Sequence, residues 1–245
     1  MPPEARLRAA LDALPAPVVL WWRDDDAGRD HPRLATLLDL SAAHGIPICL
    51  AVVPDWLTDA CAERIRHAQF ATVVQHGVAH ADHAVPPNKK IELGGTANRA
   101  ELGAALLQRR ERLADAFGDR FVPALVPPWN RIAPELIPAL PSLGFAGLSV
   151  YGPRRAASPA PGLRLVNTHV DLIAWRDGSR SLGPTEIMEQ LAQMIETGTG
   201  EPLGILSHHL AMDASSFAAL DHLLAGVLDH PHVRWAQVGA LFEEG

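Results

Sequence analysis

The feature that most limits the fold is an alternation along the chain: short β-branched runs that end in polar residues are separated by longer amphipathic stretches. Parallel strands need a crossover connection, and a helix is the usual one, so this pattern belongs to an α/β chain with a parallel sheet. Strands are expected at residues 17–22, 46–53, 72–75, 124–126, 147–150, 165–169, 203–207 and 233–238, and helices at 32–43, 97–117, 185–196 and 215–228. Leu102, Leu106, Leu113 and Phe117 form one apolar stripe of the second helix. Seven or eight strands alternating with helices suit a distorted (β/α) barrel. The only linker-like stretch, residues 156–162, is too short to separate domains, so a single domain over residues 1–245 is expected.

Composition narrows the partners. The chain is 48% hydrophobic and carries a formal charge of -7, with no basic run longer than a pair, so a nucleic-acid partner is not expected. No apolar run approaches the ~18 residues of a membrane span. Glu4, Arg6, Arg8 and Asp12 precede the first apolar stretch, which is unlike a secretory leader, so a cytoplasmic protein is expected. Cys49 and Cys61 do not form a C-x-x-C pair and read as free thiols. The expected ligand is a small molecule or oligosaccharide; oligomeric state is left open.

In a barrel of this kind the reactive groups gather where strands end at their carboxyl side. Those ends are followed here by Arg23-Asp24-Asp25-Asp26, by His76-Gly77-Val78-Ala79-His80, by Pro127-Pro128-Trp129-Asn130-Arg131, by Asp171 with Trp175, and by His208-His209. Crowded carboxylates are reasonable if a divalent cation neutralises one while another acts as a base. Two histidines four residues apart can share one ion with a carboxylate from another strand, leaving positions open for water and substrate. Asp-His-His also suits non-haem iron, so an iron(II) oxygenase is a competing reading. The prolines stiffen their segment and would fix the next amide, that of Trp129, which could stabilise an oxyanion or simply sit in a rigid turn. Adjacent His208 and His209 should face opposite sides of a strand, so only one should reach a pocket. There is no G-x-S-x-G, Walker-type or G-x-G-x-x-G motif.

The order of these motifs resembles the polysaccharide deacetylases, the family 4 carbohydrate esterases. The resemblance implies a distorted (β/α) barrel and a divalent metal, most commonly zinc, used to hydrolyse acetyl groups on sugars. It implies Asp25 as base, with Asp26, His76 and His80 as metal ligands. It further implies the Trp129 amide at the oxyanion, Asp171 and Trp175 beside the acid and the acetyl pocket, and His208 as general acid with His209 in reserve. Trp129, Asn130 and Trp175 are the expected substrate contacts.

Two departures stand out. Val126 occupies the place of the family's motif-three arginine, which contacts the base, and residues 83–95 (HAVPPNKKIELGG) match no part of the pattern. A guanidinium could come from Arg131 or Arg23. Arg131 is the expected one, because Arg23 is adjacent to Asp24 and in an extended stretch points away from it. The reading is then a metal-dependent deacetylase. A metal-retaining binding or regulatory protein is the alternative that the missing arginine suggests.

Overall fold

The computed structural model describes residues 1–243, the side chain of Asp177 excepted. The strands are β1 (Val18–Ala27), β2 (Ile48–Val52), β3 (Ala71–His76), β4 (Phe121–Val126), β5 (Gly147–Leu148), β6 (Arg164–Leu165), β7 (Thr168–Asp171), β8 (Ile173–Ala174), β9 (Arg180–Ser181), β10 (Leu203–Ser207) and β11 (Val233–Trp235). All but β8 and β9, which form a separate antiparallel pair, belong to one parallel sheet in the order β6-β5-β4-β3-β2-β1-β10-β7, with β11 added to β1. β6 and β7 are halves of one stretch, and Tyr151, just beyond β5, bridges Thr168 of β7. The sheet therefore curls until its edges meet in residues 164–171, giving a barrel-like ring.

Among the described residues seven α-helices surround the sheet: α1 (Pro3–Asp12), α2 (Pro32–His44), α3 (Asp59–His67), α4 (Arg99–Phe117), α5 (Pro184–Thr197), α6 (Ala214–Leu228) and α7 (Val238–Phe242). Their ends follow local chemistry. Asn98 accepts hydrogen bonds from the backbone of Ala100 and Glu101 at the start of α4, and α2 stops at Gly45, whose φ of 63° suits a left-handed cap. Every residue of β2 is buried, as expected of a strand covered on both faces. Alternation sends Leu20 and Trp22 outward to the helix layer, where they join Leu34, Leu37, Leu220 and Leu224. It sends Trp21 inward with Cys49, Ala51, Val74, Ala124 and Val126, and Phe242 of α7 packs into this inner cluster. Among the described residues no helix is long and apolar enough to cross a membrane.

The barrel class expected from the sequence is the one observed, but three boundaries differ. β1 continues through the acidic run to Ala27 instead of stopping at Trp22, because Asp24 is satisfied inside the protein. Its Oδ2 accepts from Ser207 Oγ at 2.7 Å and from the His209 backbone N–H at 2.9 Å, and its Oδ1 lies 2.5 Å from His209 Nδ1. The stretch 165–169 is split between β6 and β7, and 233–238 becomes β11 followed by the start of α7. Helices α1 and α3 were not anticipated, since neither is long or strongly apolar.

The Asp24–His209 pair pins β1 to the end of β10 on the outer face of the sheet. Burial opposes the charge on His209, but Asp24 outweighs it and raises the imidazole pKa. A raised folded pKa gives stabilisation that is fully present below the unfolded value of about 6.5 and is lost as pH rises through the folded one. His209→Ala leaves Asp24 buried without its cation and is expected to cost roughly 3–5 kcal/mol in denaturant unfolding. The deficit should be widest in mild acid and narrow toward alkaline pH. A deficit that does not change with pH would show that the ion pair is not its cause.

Candidate metal centre and active site

β1 carries two kinds of carboxylate to the inner face. Arg23 and Asp25 are two residues apart on one strand and so share the face that Trp21 shares below them. A register shift follows between Asp24 and Ala27, and Asp26 takes a left-handed φ of 71°. That bulge lets Asp26 face the same cavity as Asp25, which plain alternation would forbid.

Asp26 meets two histidines there. His76 ends β3, and the turn through Gly77 (φ 57°) to His80 (φ 59°) brings the second imidazole back toward the first. Asp26 Oδ1 lies 3.3 Å from His76 Nε2 and 3.2 Å from His80 Nε2, and the three donor atoms fall within 4.8 Å of one another. Donors about 2.1 Å from one tetrahedral ion stand ~3.4 Å apart, so the three fit a divalent cation of zinc's size. His76 Nδ1 is 2.9 Å from the carbonyl of Val126, which fixes the ring with its Nε2 lone pair toward the site. Burial opposes ionisation of Asp26, yet His76 and His80 together hold its carboxyl well below the usual range; burial likewise opposes the charge on His76, and Asp26 raises its pKa.

His76→Ala and His80→Ala should each lose the stoichiometric metal of the wild type while the fold survives. Because a raised His76 pKa means that a proton competes for Nε2, metal affinity should also fall as pH drops below neutrality. Metal content unaffected by either substitution would remove this centre.

A residue that the sequence reading did not single out holds the metal loop. Glu92 is 1% exposed, and its carboxylate accepts backbone hydrogen bonds from Val78 (3.0 Å), Ala79 (2.8 Å) and Ala81 (3.0 Å). A Cβ at Gly77 would stand 1.9 Å from Glu92 Oε2, so glycine at the second motif and Glu92 go together: the carboxylate occupies the space a side chain there would need. The only signal in the sequence was the unmatched segment 83–95 itself. Glu92→Gln turns two acceptor oxygens into one and sets an N–H against the loop's donors. It should weaken metal affinity by about 10–100-fold while the apo-protein stays folded. Unchanged affinity in a chelator competition would make Glu92 a packing residue only.

Arg23 is fully buried and pairs with Asp25: Nη2 donates to Oδ2 at 3.0 Å, and Nε lies 2.8 Å from Oδ1. Nη1 donates to Ser149 Oγ at 2.6 Å and Nη2 to Asn130 Oδ1 at 2.8 Å. This corrects the expectation for Arg131, whose Nη1 donates instead to the backbone carbonyl of Lys90 at 2.9 Å. The expectation weighs Arg23 against Asp24, which lies on the opposite face, whereas Asp25, two residues along β1, points the same way as Arg23. Asn130, expected against substrate, lines the cavity while its carbonyl oxygen holds Arg23.

The remaining expected residues line the same cavity of about 1000 Å³. His208 Nε2 lies 3.9 Å from Asp25 Oδ2, and its Nδ1 is 3.7 Å from Asp171 Oδ1, longer than a hydrogen bond. Trp175 Nε1 donates to Asp171 Oδ2 at 2.9 Å, and the Trp175 ring meets His208 edge-on at 4.8 Å. Burial pushes the Asp171 carboxyl up, against the pull of His208 and of the N–H donors of Ile173 and Trp175. Trp129, at a left-handed φ of 54°, packs its ring 4.4 Å from that of His80. His209 faces away, on Asp24.

No family model and no curated protein matches the sequence. Solved structures do match. One is a peptidoglycan N-acetylglucosamine deacetylase, at a TM-score of 0.61 and 16% identity over 92% of this chain and 88% of that one. A second is a family 4 acetyl xylan esterase from Clostridium thermocellum in complex with a cobalt ion, at 0.59 and 16% over 91% and 90%. A third is a family 4 pseudoenzyme from Bacillus anthracis, at 0.60 and 14% over 94% and 67%. The fold is that of the family 4 polysaccharide deacetylases.

Proposed function

We propose that the protein is a metal-dependent hydrolase that removes an acetyl group from an N-acetylated sugar or a related amide. The observation that carries this reading is that the Asp26–His76–His80 donor set, the guanidinium-gripped Asp25 and His208 all open on one cavity. Asp25 and His208 stand close enough to serve opposite sides of one acyl carbon. A zinc ion held by the three donors would supply Lewis-acid polarisation of the acyl oxygen and acidify a bound water.

The protein's own groups do the rest. Asp25 takes the proton of the attacking water at Oδ2, while Arg23 keeps the carboxylate turned into the cavity. The Trp129 N–H, held by the two prolines before it, donates to the developing oxyanion. His208 delivers a proton from Nε2 to the leaving nitrogen as the C–N bond breaks, and Asp171, clamped by Trp175, steadies its far side. The products are acetate and a free amine. Exposed Trp175 and Tyr151 offer aromatic faces to a sugar ring.

The binding-protein alternative rested on the missing arginine. Arg23 meets Asp25 with the guanidinium that Val126 cannot supply, which supports the hydrolase reading.

Acetate release from N-acetylated sugars by the zinc-loaded protein tests the reading. Asp25→Asn should retain the metal and abolish turnover, and His208→Ala should lower kcat by ~10²–10⁴. Arg23→Lys keeps a cation but loses the fork, so kcat should fall further than with Arg131→Ala. Metal-loaded wild type that releases acetate from none of a broad panel would overturn the reading, and a larger loss with Arg131→Ala than with Arg23→Lys would return the base's partner to Arg131.

A further inference from the structure

The segment 83–95 does more than bring Glu92 under the metal loop. It folds back on itself, with His83 N–H on the Ile91 carbonyl at 2.8 Å and the Ala84 and Ile91 amides on Asp82 Oδ1 at 3.0 and 3.1 Å. It is also stitched to the stretch after β4: Leu93 bridges Ile132, and Arg131 Nη1 holds the Lys90 carbonyl. Its tip is thereby carried over the cavity, which Lys89 and Lys90 line together with Arg131 and Arg176; Lys90 Nζ sits 5.7 Å from the centre of the Trp129 ring.

Exposed lysines are ordinary on a protein surface, so their setting decides the matter. The chain as a whole is acidic, 28 Asp and Glu against 21 Lys and Arg. Yet among the described residues that line the cavity the only carboxylates are Asp25, Asp26 and Asp171, the groups of the reaction itself. Asp25 is already matched by Arg23, and Asp26 would be matched by a cation. None of the four basic side chains at the mouth is in an ion pair among the described residues. With a divalent ion in place the cavity is strongly electropositive in an electronegative protein, which favours an anion over a neutral molecule of the same shape.

Resting on the deacetylase reading, we propose that the substrate is anionic: it carries a carboxylate or phosphate group away from the acyl amide, and Lys89, Lys90, Arg131 and Arg176 bind that group at the cavity mouth.

Three ligands that differ at one carbon test this: N-acetylglucosamine, its 6-phosphate, and the corresponding 6-carboxylate. Calorimetric binding to the zinc-loaded protein and acetate release are both measured. The charged ligands should bind at least ~10-fold more tightly at low salt, with the advantage shrinking as ionic strength rises. Lys90→Glu should reduce that advantage and the double substitution K89E/K90E should erase it. Arg8→Glu on α1, outside the cavity, makes the same charge change as Lys90→Glu and should leave the preference intact. A preference for only one of the two anions supports the proposal and assigns the group. Equal affinity for all three ligands, or a preference that survives K89E/K90E, overturns it. Acetate release without a charge preference would overturn this proposal alone; charge-selective binding without acetate release would overturn the hydrolase reading alone.

Discussion

Arg23 is a guanidinium with no access to solvent, and much of the site follows from satisfying it. A buried cation is tolerable only if paired and hydrogen-bonded, and removal of a partner typically costs about 3–5 kcal/mol. Its partners come from three places: Asp25 on the same strand, Ser149 just beyond β5, and Asn130 in the loop after β4. One side chain thus ties three elements together beneath the cavity. The geometry it imposes on Asp25 is the geometry a base requires, a carboxylate fixed by its back edge with its front free for a proton. In the proposed reaction, stability and reactivity draw on the same contacts.

Around this anchor the backbone leaves its ordinary conformations at the positions where chemistry is concentrated. Asp26, His80, Trp129 and Asn130 all have positive φ, a conformation uncommon for residues other than glycine. Such conformations persist only where the surroundings over-determine them. Glu92 does this for the metal loop with three amides, and the Arg23 contact does it for Asn130. Asp26 and His80 bring donor atoms to the candidate centre in this way, and Asn130 brings its side chain to Arg23.

Much of this was legible in the sequence. The alternation of apolar runs and amphipathic stretches was enough for the barrel, because that periodicity is what burial on a sheet and on a helix face demands. Strand-end clustering located the carboxylates and histidines, and alternation correctly separated His208 from His209. What was hidden depended on facts that sequence order does not carry. The length of β1 was one: an acidic run looks like the end of a strand unless Ser207 and His209, far along the chain, are known to satisfy Asp24. Glu92 was another, since its partners are backbone amides with no signature of their own. The partner of Arg23 was a third: an extended stretch turns it away from Asp24 but toward Asp25, two residues on.

The guanidinium beside Asp25 comes from β1 and not from the end of β4. A buried carboxylate needs a cation at a fixed distance, and the cation's point of attachment in the chain is immaterial to it. In a barrel, any inward position one layer below the base can provide it. At position 126 the side chain is valine, packed with Trp21 in the inner cluster, and the guanidinium arrives from β1 instead, two residues before the carboxylate it serves. The same substitution in space occurs at the metal loop, where Glu92 fills the volume that a side chain at residue 77 would occupy. In both places a group is set in space by a residue whose position in the sequence does not announce it.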